Sequence, residues 1–232
     1  MASLAILSAR GGSKRIPKKN IKDFLGKPVI SYTIEVALSS GLFDEVIVST
    51  ENGEISQIAS RYGAKLPFKR SMKNSSDVAT TFEVIEEVLL QYKQKGVEFD
   101  LVCCLYPCAP FITETILKVA FWKLINQNFD VVFPIIKYSS PIQRALRIRN
   151  NKVQFINSEY SIFRTQDFEK KYFDAGQFYF FKPSVLLNAN AMITENSGII
   201  ILNKNQVEDI DEFDDWEAAE FKYKYIHNLC LN

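Results

Sequence analysis

The chain has 232 residues, 28 basic and 27 acidic side chains, and a formal net charge of +1. That length suits one α/β domain carrying at most a modest insertion, and it buries a full core. Near-zero net charge excludes a general polyanion binder, so no nucleic-acid partner is expected and local clusters of charge become the informative feature.

The first predicted element is the strand "LAILS", residues 4–8. Leu4 to Leu7 is too short for a membrane span or the core of a signal peptide, and a basic loop follows it directly. A cytoplasmic protein with no membrane partner is therefore expected. The loop, "LSARGGSKRIPKKN" at residues 7–20, holds two adjacent glycines, five basic side chains and no acid. Gly11 and Gly12 allow a sharp turn and a close approach to a ligand, and successive N–H groups in such a turn form an anion nest. Arg10, Lys14, Arg15, Lys18 and Lys19 add charge, and Pro17 stiffens the segment. A triphosphate needs such a set of donors held in place. The run is neither a P-loop nor a dinucleotide fingerprint. A solvated basic surface loop is the competing reading, and the position straight after the first strand weighs against it.

"PVISYTIEVALSSG" follows as a helix, with Pro28 at its start, Ile30, Ile34 and Leu38 at helical spacing, and Gly41 at its end. "EVIVST" is a buried strand, and "GEISQIASRYG" a helix closed by Gly63. In "FKRSMKNSSDVATT", Arg70, Ser76, Asp77 and Thr80 precede a helix N-terminus, a place suited to ribose or base contacts. Thr80 and Glu83 also form a capping box for the helix "FEVIEEVLLQYKQKG", whose stripe runs Phe82, Ile85, Val88, Leu89, Tyr92. "DLVCCLY", "TETILKVAFWKLINQ" and "DVVFPII" read as strand, helix and strand. Cys103 and Cys104 would point to opposite faces. His227 is the only histidine, and no second Cys or His cluster completes a metal set, so buried reduced thiols are expected.

The alternation breaks near residue 138. "RALRIRNNKVQFI" reads as a hairpin turning at Asn150-Asn151, and "FRTQDFEKKYFDAGQ" as irregular. "FYFF", "GIIIL" and a last helix from Asp214 resume the pattern. The expectation is a single domain, residues 1–232, with an insertion at about 138–176. Its sheet would be mostly parallel, with helices on both faces. In "VEDIDEFDDW", Asp209 and Asp211 share a face if the backbone is extended. Two such carboxylates repel unless a cation sits between them, and Mg²⁺, completed by triphosphate oxygens and waters, is the natural occupant. Asp214 with Glu217 reads as an N-cap pair, which explains Asp214 and leaves the other two acids for metal.

"SARGGSKRIPKKN", "KRSMKNSSDVATT", "YPCAPF" and "EDIDEFDDW" together resemble the cytidylyltransferases that activate nine-carbon sialic-type sugars, over nearly the whole chain. "SSPIQRAL" and "RTQDFEKKYFDAGQFYFF" look like the members acting on pseudaminic acid. Tyr106 stands where the N-acetylneuraminate enzymes carry a glutamine, which implies a more apolar sugar surface suited to a 6-deoxy sugar. The resemblance implies a Rossmann-like nucleotidyltransferase fold, CTP as donor, Mg²⁺ as cofactor, and a homodimer built partly from the inserted segment. By resemblance, Arg10, Lys14 and Lys19 bind the triphosphate, on a loop that includes Gly11, Gly12 and Ser13. Asn20, Arg70, Ser76, Thr80 and Thr81 lie near the nucleotide. Tyr106, Gln143, Arg144, Gln166 and Gln177 are sugar-side candidates, and Asp209 and Asp211 hold metal, with Asp211 also counted as catalytic. Ser8 and Phe213 depart from the family pattern without removing a charge. A cytidylyltransferase for N-acetylneuraminate or legionaminate stays open as an alternative. So does a catalytically silent nucleotide- or polyanion-binding module, which the carboxylate pair disfavours. A purely structural dimer partner leaves the opening loop unexplained.

Overall fold

The computed structural model describes residues 1–189 and 191–229. The chain runs β1 (Ser3–Ser8), a short hairpin of β2 (Asp23–Phe24) and β3 (Lys27–Pro28), α1 (Val29–Ser39), β4 (Glu45–Ser49) and α2 (Gly53–Arg61). It continues with α3 (Thr81–Gln94), β5 (Leu101–Leu105), α4 (Glu114–Asn126) and β6 (Val131–Lys137). An exposed hairpin of β7 (Leu146–Arg149) and β8 (Lys152–Phe155) then precedes β9 (Tyr172–Asp174), β10 (Phe178–Phe181), α5 (Pro183–Ala189), β11 (Ser197–Leu202) and α6 (Phe213–Ile226).

The main sheet has the order β11-β6-β10-β5-β1-β4, with β9 paired to β6. Along that path only β10 runs against the others, antiparallel to both β5 and β6. Period-two alternation splits the strands between two cores. Ala5, Leu7, Cys103 and Leu105 pack under α1, α2 and α4, while Leu4, Ile6, Val102 and Cys104 pack under α3 and α5. The adjacent cysteines therefore face opposite ways, as expected. Burial pushes the Cys104 thiol up to about 12 and the Cys103 thiol well above its ordinary value, which makes both inert. Cys230 lies outside the described residues.

Local signals set most element ends. Asn52 caps α2 by accepting from the Glu54 and Ile55 amides at 2.9 and 3.0 Å, and Thr80 with Glu83 forms the expected capping box. Asn150 and Asn151 both take left-handed φ, 51° and 56°, which matches the twist of a tight hairpin. Three expectations need correction. Leu38 is exposed, and Ala37 takes the buried place on α1. The last helix starts at Phe213, capped by Glu212 with Asp215 rather than by Asp214 with Glu217, because the Asp215 carboxylate turns back to the Asp211 and Glu212 amides. The stretch after Phe163 is not wholly irregular, since β9 adds to β6 in the register Ile135 to Asp174. The β2–β3 hairpin and α5 are further elements beyond the sequence reading.

A third apolar cluster positions the site. Ile16 and Phe24 from the front of the chain meet Ile210 and Trp216 from its tail, together with Phe111. Phe24 meets Tyr32, Trp216 and Tyr223 edge-on at 5.4, 5.6 and 5.6 Å. Burying such side chains is worth roughly 2 kcal/mol each. An exposed ion pair contributes about 0–1 kcal/mol, so apolar packing, not charge, brings the two chain regions together.

Candidate active site

The front loop, the segment before α3, the start of the loop after β5 and the tail before α6 enclose one cavity of about 740 Å³. It opens beyond the carboxyl ends of β1 and β5, where open α/β sheets place ligands. Of the expected nucleotide-side residues, Arg10, Ser13, Lys14, Lys19, Asn20 and Arg70 line it. Ser76, Thr80, Thr81, Tyr106, Asp209 and Asp211 do so as well.

The loop sequence contains no acid, yet in the fold every one of its five cations faces a carboxylate. Arg10 pairs with Asp77 at 2.5 Å, and Lys14 binds the same carboxylate. Arg15 and Lys19 reach Asp211 at 2.7 and 3.4 Å, and Lys18 reaches Glu54 at 2.7 Å. Lys14 and Arg10 hold the Asp77 carboxyl below the usual range. Lys19 also donates to the Ile210 carbonyl at 2.6 Å, which fixes its ammonium between the front loop and the tail.

The glycines act otherwise than expected. Neither Gly11 nor Gly12 has a left-handed φ, and neither lines the cavity. The Gly11 N–H donates to Glu51 at 2.6 Å, so it is not part of an open anion nest. A Cβ on Gly11 would lie 2.6 Å from the Asn52 side chain, the cap of α2. Packing against that cap favours glycine at 11, whereas a Cβ on Gly12 would meet nothing within 4 Å. Asn20 is a buried brace, donating to the Arg10 carbonyl at 2.8 Å and accepting from the Cys108 thiol at 3.3 Å.

Arg70 is buried, bonding Ser49 Oγ at 3.1 Å and Ser8 Oγ at 2.9 Å, so it ties the ends of β1 and β4 together. Burial lowers its pKa, opposed by Glu51 and Glu87. Its Nη1 has no hydrogen-bond partner among the described residues, and the side chain fronts the cavity. The charge on the cavity floor is thus fixed before any ligand arrives.

Asp209 and Asp211 both front the cavity. Burial, then repulsion from Asp211, raises the Asp209 carboxyl above its ordinary value, with Lys19 pulling the other way. No group of three or more potential metal ligands exists among the described residues. Two adjacent carboxylates with oxygen-only donors fit a hard divalent cation whose remaining ligands come from phosphate and water.

On the sugar side the expectations divide. Tyr106 lines the cavity, its hydroxyl facing Thr81 and Tyr179. Gln177 is buried, and its side chain donates to the Gln206 carbonyl at 2.9 Å, off the cavity wall; Gly176 lines it instead. Gln143, Arg144 and Gln166 sit outside this cavity on the exposed arm, residues 138–171, which carries the β7–β8 hairpin. Gln143 Nε2 donates to the Glu169 carbonyl at 3.1 Å while its Oε1 is buried without a partner among the described residues, and Arg144 approaches Thr165. Sequence reasoning missed Glu208 and Cys108 in the wall, and the role of Asp77 as counter-charge to Arg10 and Lys14. Asp77 lay within a segment already singled out, but no local pattern shows which cations it faces.

No helix among the described residues is long and apolar enough to cross a membrane. The family model described as cytidylyltransferase matches residues 4–228. A pseudaminic acid cytidylyltransferase of Campylobacter jejuni subsp. jejuni serotype O:2 is 42% identical over 232 residues, covering 100% of both chains. A CMP-N,N'-diacetyllegionaminic acid synthase of Legionella pneumophila is 28% identical, covering 95% of this chain and 95% of its own. A solved CMP:2-keto-3-deoxy-manno-octonic acid synthetase complexed with CTP superposes with a TM-score of 0.70 over 97% of this chain and 100% of that one, at 18% identity, a likeness of fold.

Proposed function

The chain belongs to the cytidylyltransferase family, and from that premise we propose that it transfers CMP from CTP to the anomeric hydroxyl of pseudaminic acid, releasing pyrophosphate. The observation that supports this most is the meeting of the front-loop cations and the tail carboxylates around one cavity. The full-length similarity to a pseudaminic acid enzyme favours that sugar over legionaminate.

In the reaction the anomeric oxygen forms a bond to the α-phosphorus as the bond from that phosphorus to the bridging oxygen of pyrophosphate breaks. The hydroxyl proton leaves to solvent. Positioning and charge neutralisation do most of the catalysis in such transfers. Arg10, Lys14 and Lys19 exchange their carboxylate partners for phosphate oxygens and neutralise the leaving pyrophosphate. Arg70, locked by Ser8 and Ser49, presents Nη1 to the nucleotide. Asn20 keeps the Arg10 backbone in place. His227 lies exposed at the end of α6, stacked on Tyr223, and serves as no base. Asp209 and Asp211 would hold Mg²⁺, which supplies charge neutralisation at the phosphates when bound.

Tyr106 walls the sugar half. Gln143, Arg144 and Gln166 contribute to a sugar site only across the homodimer, where one copy's arm would approach the other's cavity. The enzyme works in the cytoplasm on this reading. The test is pyrophosphate release with CTP, Mg²⁺ and a panel of nonulosonic acids. Pseudaminic acid should give the highest kcat/KM, and excess chelator should abolish release. Preference for legionaminate or N-acetylneuraminate would transfer the assignment to that sugar, and no release with any of them would leave a nucleotide-binding module.

A further inference from the structure

Where the arm returns to the sheet, the chain makes a compact polar joint. Asp174 ends β9, opposite Ile135 of β6. One of its carboxylate oxygens accepts the Gly176 N–H at 2.8 Å, and the other accepts the Tyr179 hydroxyl. Gly176 itself has a φ of +60°, a turn that glycine makes without strain. A Cβ there would stand 3.9 Å from both the Tyr106 ring and the Asp209 carboxylate, so the turn lies flat against the cavity. Tyr179 is 6% exposed. Its ring stacks on Phe133 at 5.6 Å and tilts against Tyr106 at 5.9 Å. On the far side, the Tyr106 N–H donates to the Gln177 carbonyl at 2.8 Å.

Thus Tyr106, the wall residue, is held from its backbone by Gln177 and from its ring by Tyr179. Asp174 fixes both holds, through the Gly176 turn and through the Tyr179 hydroxyl. Tyr179 needs that acceptor, since a nearly buried phenol without one loses a hydrogen bond and pays its desolvation. The pair is also the link between the exposed arm and the cavity.

We infer that Asp174 is a positioning residue for the acceptor sugar, acting through Tyr179 to set the place of Tyr106. The inference rests on the reading of Tyr106 as the sugar-side wall. It predicts a split in kinetics that loosening of the whole fold would not produce. Asp174→Ala and Tyr179→Phe should each raise KM for the sugar roughly tenfold, the loss of one ordered hydrogen bond. KM for CTP should stay within about twofold. The double variant should be no worse than Asp174→Ala alone, because that change already removes the Tyr179 contact as well as the hold on the Gly176 turn.

Steady-state kinetics would use whichever nonulosonic acid the wild type prefers, so a wrong sugar assignment shows in the wild type and not in the variants. Calorimetric titration with CTP and Mg²⁺ in the absence of sugar checks that each variant keeps its nucleotide half. Asp174→Asn keeps one oxygen to accept the Gly176 N–H and an NH2 that donates to the Tyr179 hydroxyl oxygen, and should recover most of the sugar KM. Unchanged sugar KM in both single variants would overturn the inference. So would an equal rise in both KM values, or additive losses in the double variant.

Discussion

The front loop, residues 9–20, and the arm, residues 138–171, are two long excursions from the sheet, and they are held in opposite ways. The front loop is tied to distant parts of the chain: Lys19 to Ile210 and Asp211, Arg10 to Asp77, Gly11 to Glu51, and Ile16 into the third apolar cluster. The arm is tied mainly to itself, through Gln143 with Glu169, Arg147 with Gln154 and Arg164 with Asp167. Its apolar side chains face outward, with Ile148 at 77%, Val153 at 65% and Ile162 at 87% exposure. The loop therefore has a fixed backbone carrying weak, exchangeable ion pairs, which is what a recurring polyanionic substrate requires. The arm has apolar side chains that its own chain does not cover.

Four experiments press on that contrast. Asp211→Ala removes the carboxylate that both faces the cavity and binds Arg15 and Lys19. Turnover should fall about a hundredfold or more, a loss of roughly 3 kcal/mol or more at the transition state. Wild-type turnover with CTP and Mg²⁺ would remove Asp211 from the machinery. Gly11→Ala drives a methyl into Asn52. Overpacking of this kind costs about 1–3 kcal/mol, read as a lower urea midpoint, and an unchanged midpoint would return Gly11 to a ligand-binding explanation.

Asp77→Asn has the opposite sign in binding. It frees Arg10 and Lys14 from their counter-charge, and the affinity for CTP, measured by titration, should rise a few-fold; a loss would make Asp77 part of the nucleotide site. In stability the same change is slightly unfavourable. The folded pKa of Asp77 lies below its ordinary 3.8. Its ion pairs therefore stabilise the fold above that ordinary value, and the contribution disappears as pH falls through the depressed one. The melting-temperature gap between wild type and variant should close only in that acid window. Ile148→Asp should have the smallest effect on the fold, within about 0.5 kcal/mol, because its side chain touches little. Sedimentation should nonetheless show smaller particles than the wild type, and identical sedimentation would leave the outer face of the hairpin without a role in assembly.

Much of this was legible in the sequence. Alternating apolar runs determined an α/β fold, because burial on both faces demands continuous apolar strands. The cap at Thr80 and the turn at Asn150-Asn151 were read from local pattern, and the caps at Asn52 and Thr113, which are equally local, were found only in the structure. The basic run and the paired acids were visible as charge, and their spacing carried the family resemblance. Only the tertiary structure decided which acid faces which cation, why packing favours glycine at 11, and that Gln143, Arg144 and Gln166 lie off the cavity. Those facts depend on pairs of residues up to 192 positions apart, such as Lys19 and Asp211. Coulomb and packing forces act through space, and a linear pattern records who is present but not who is near.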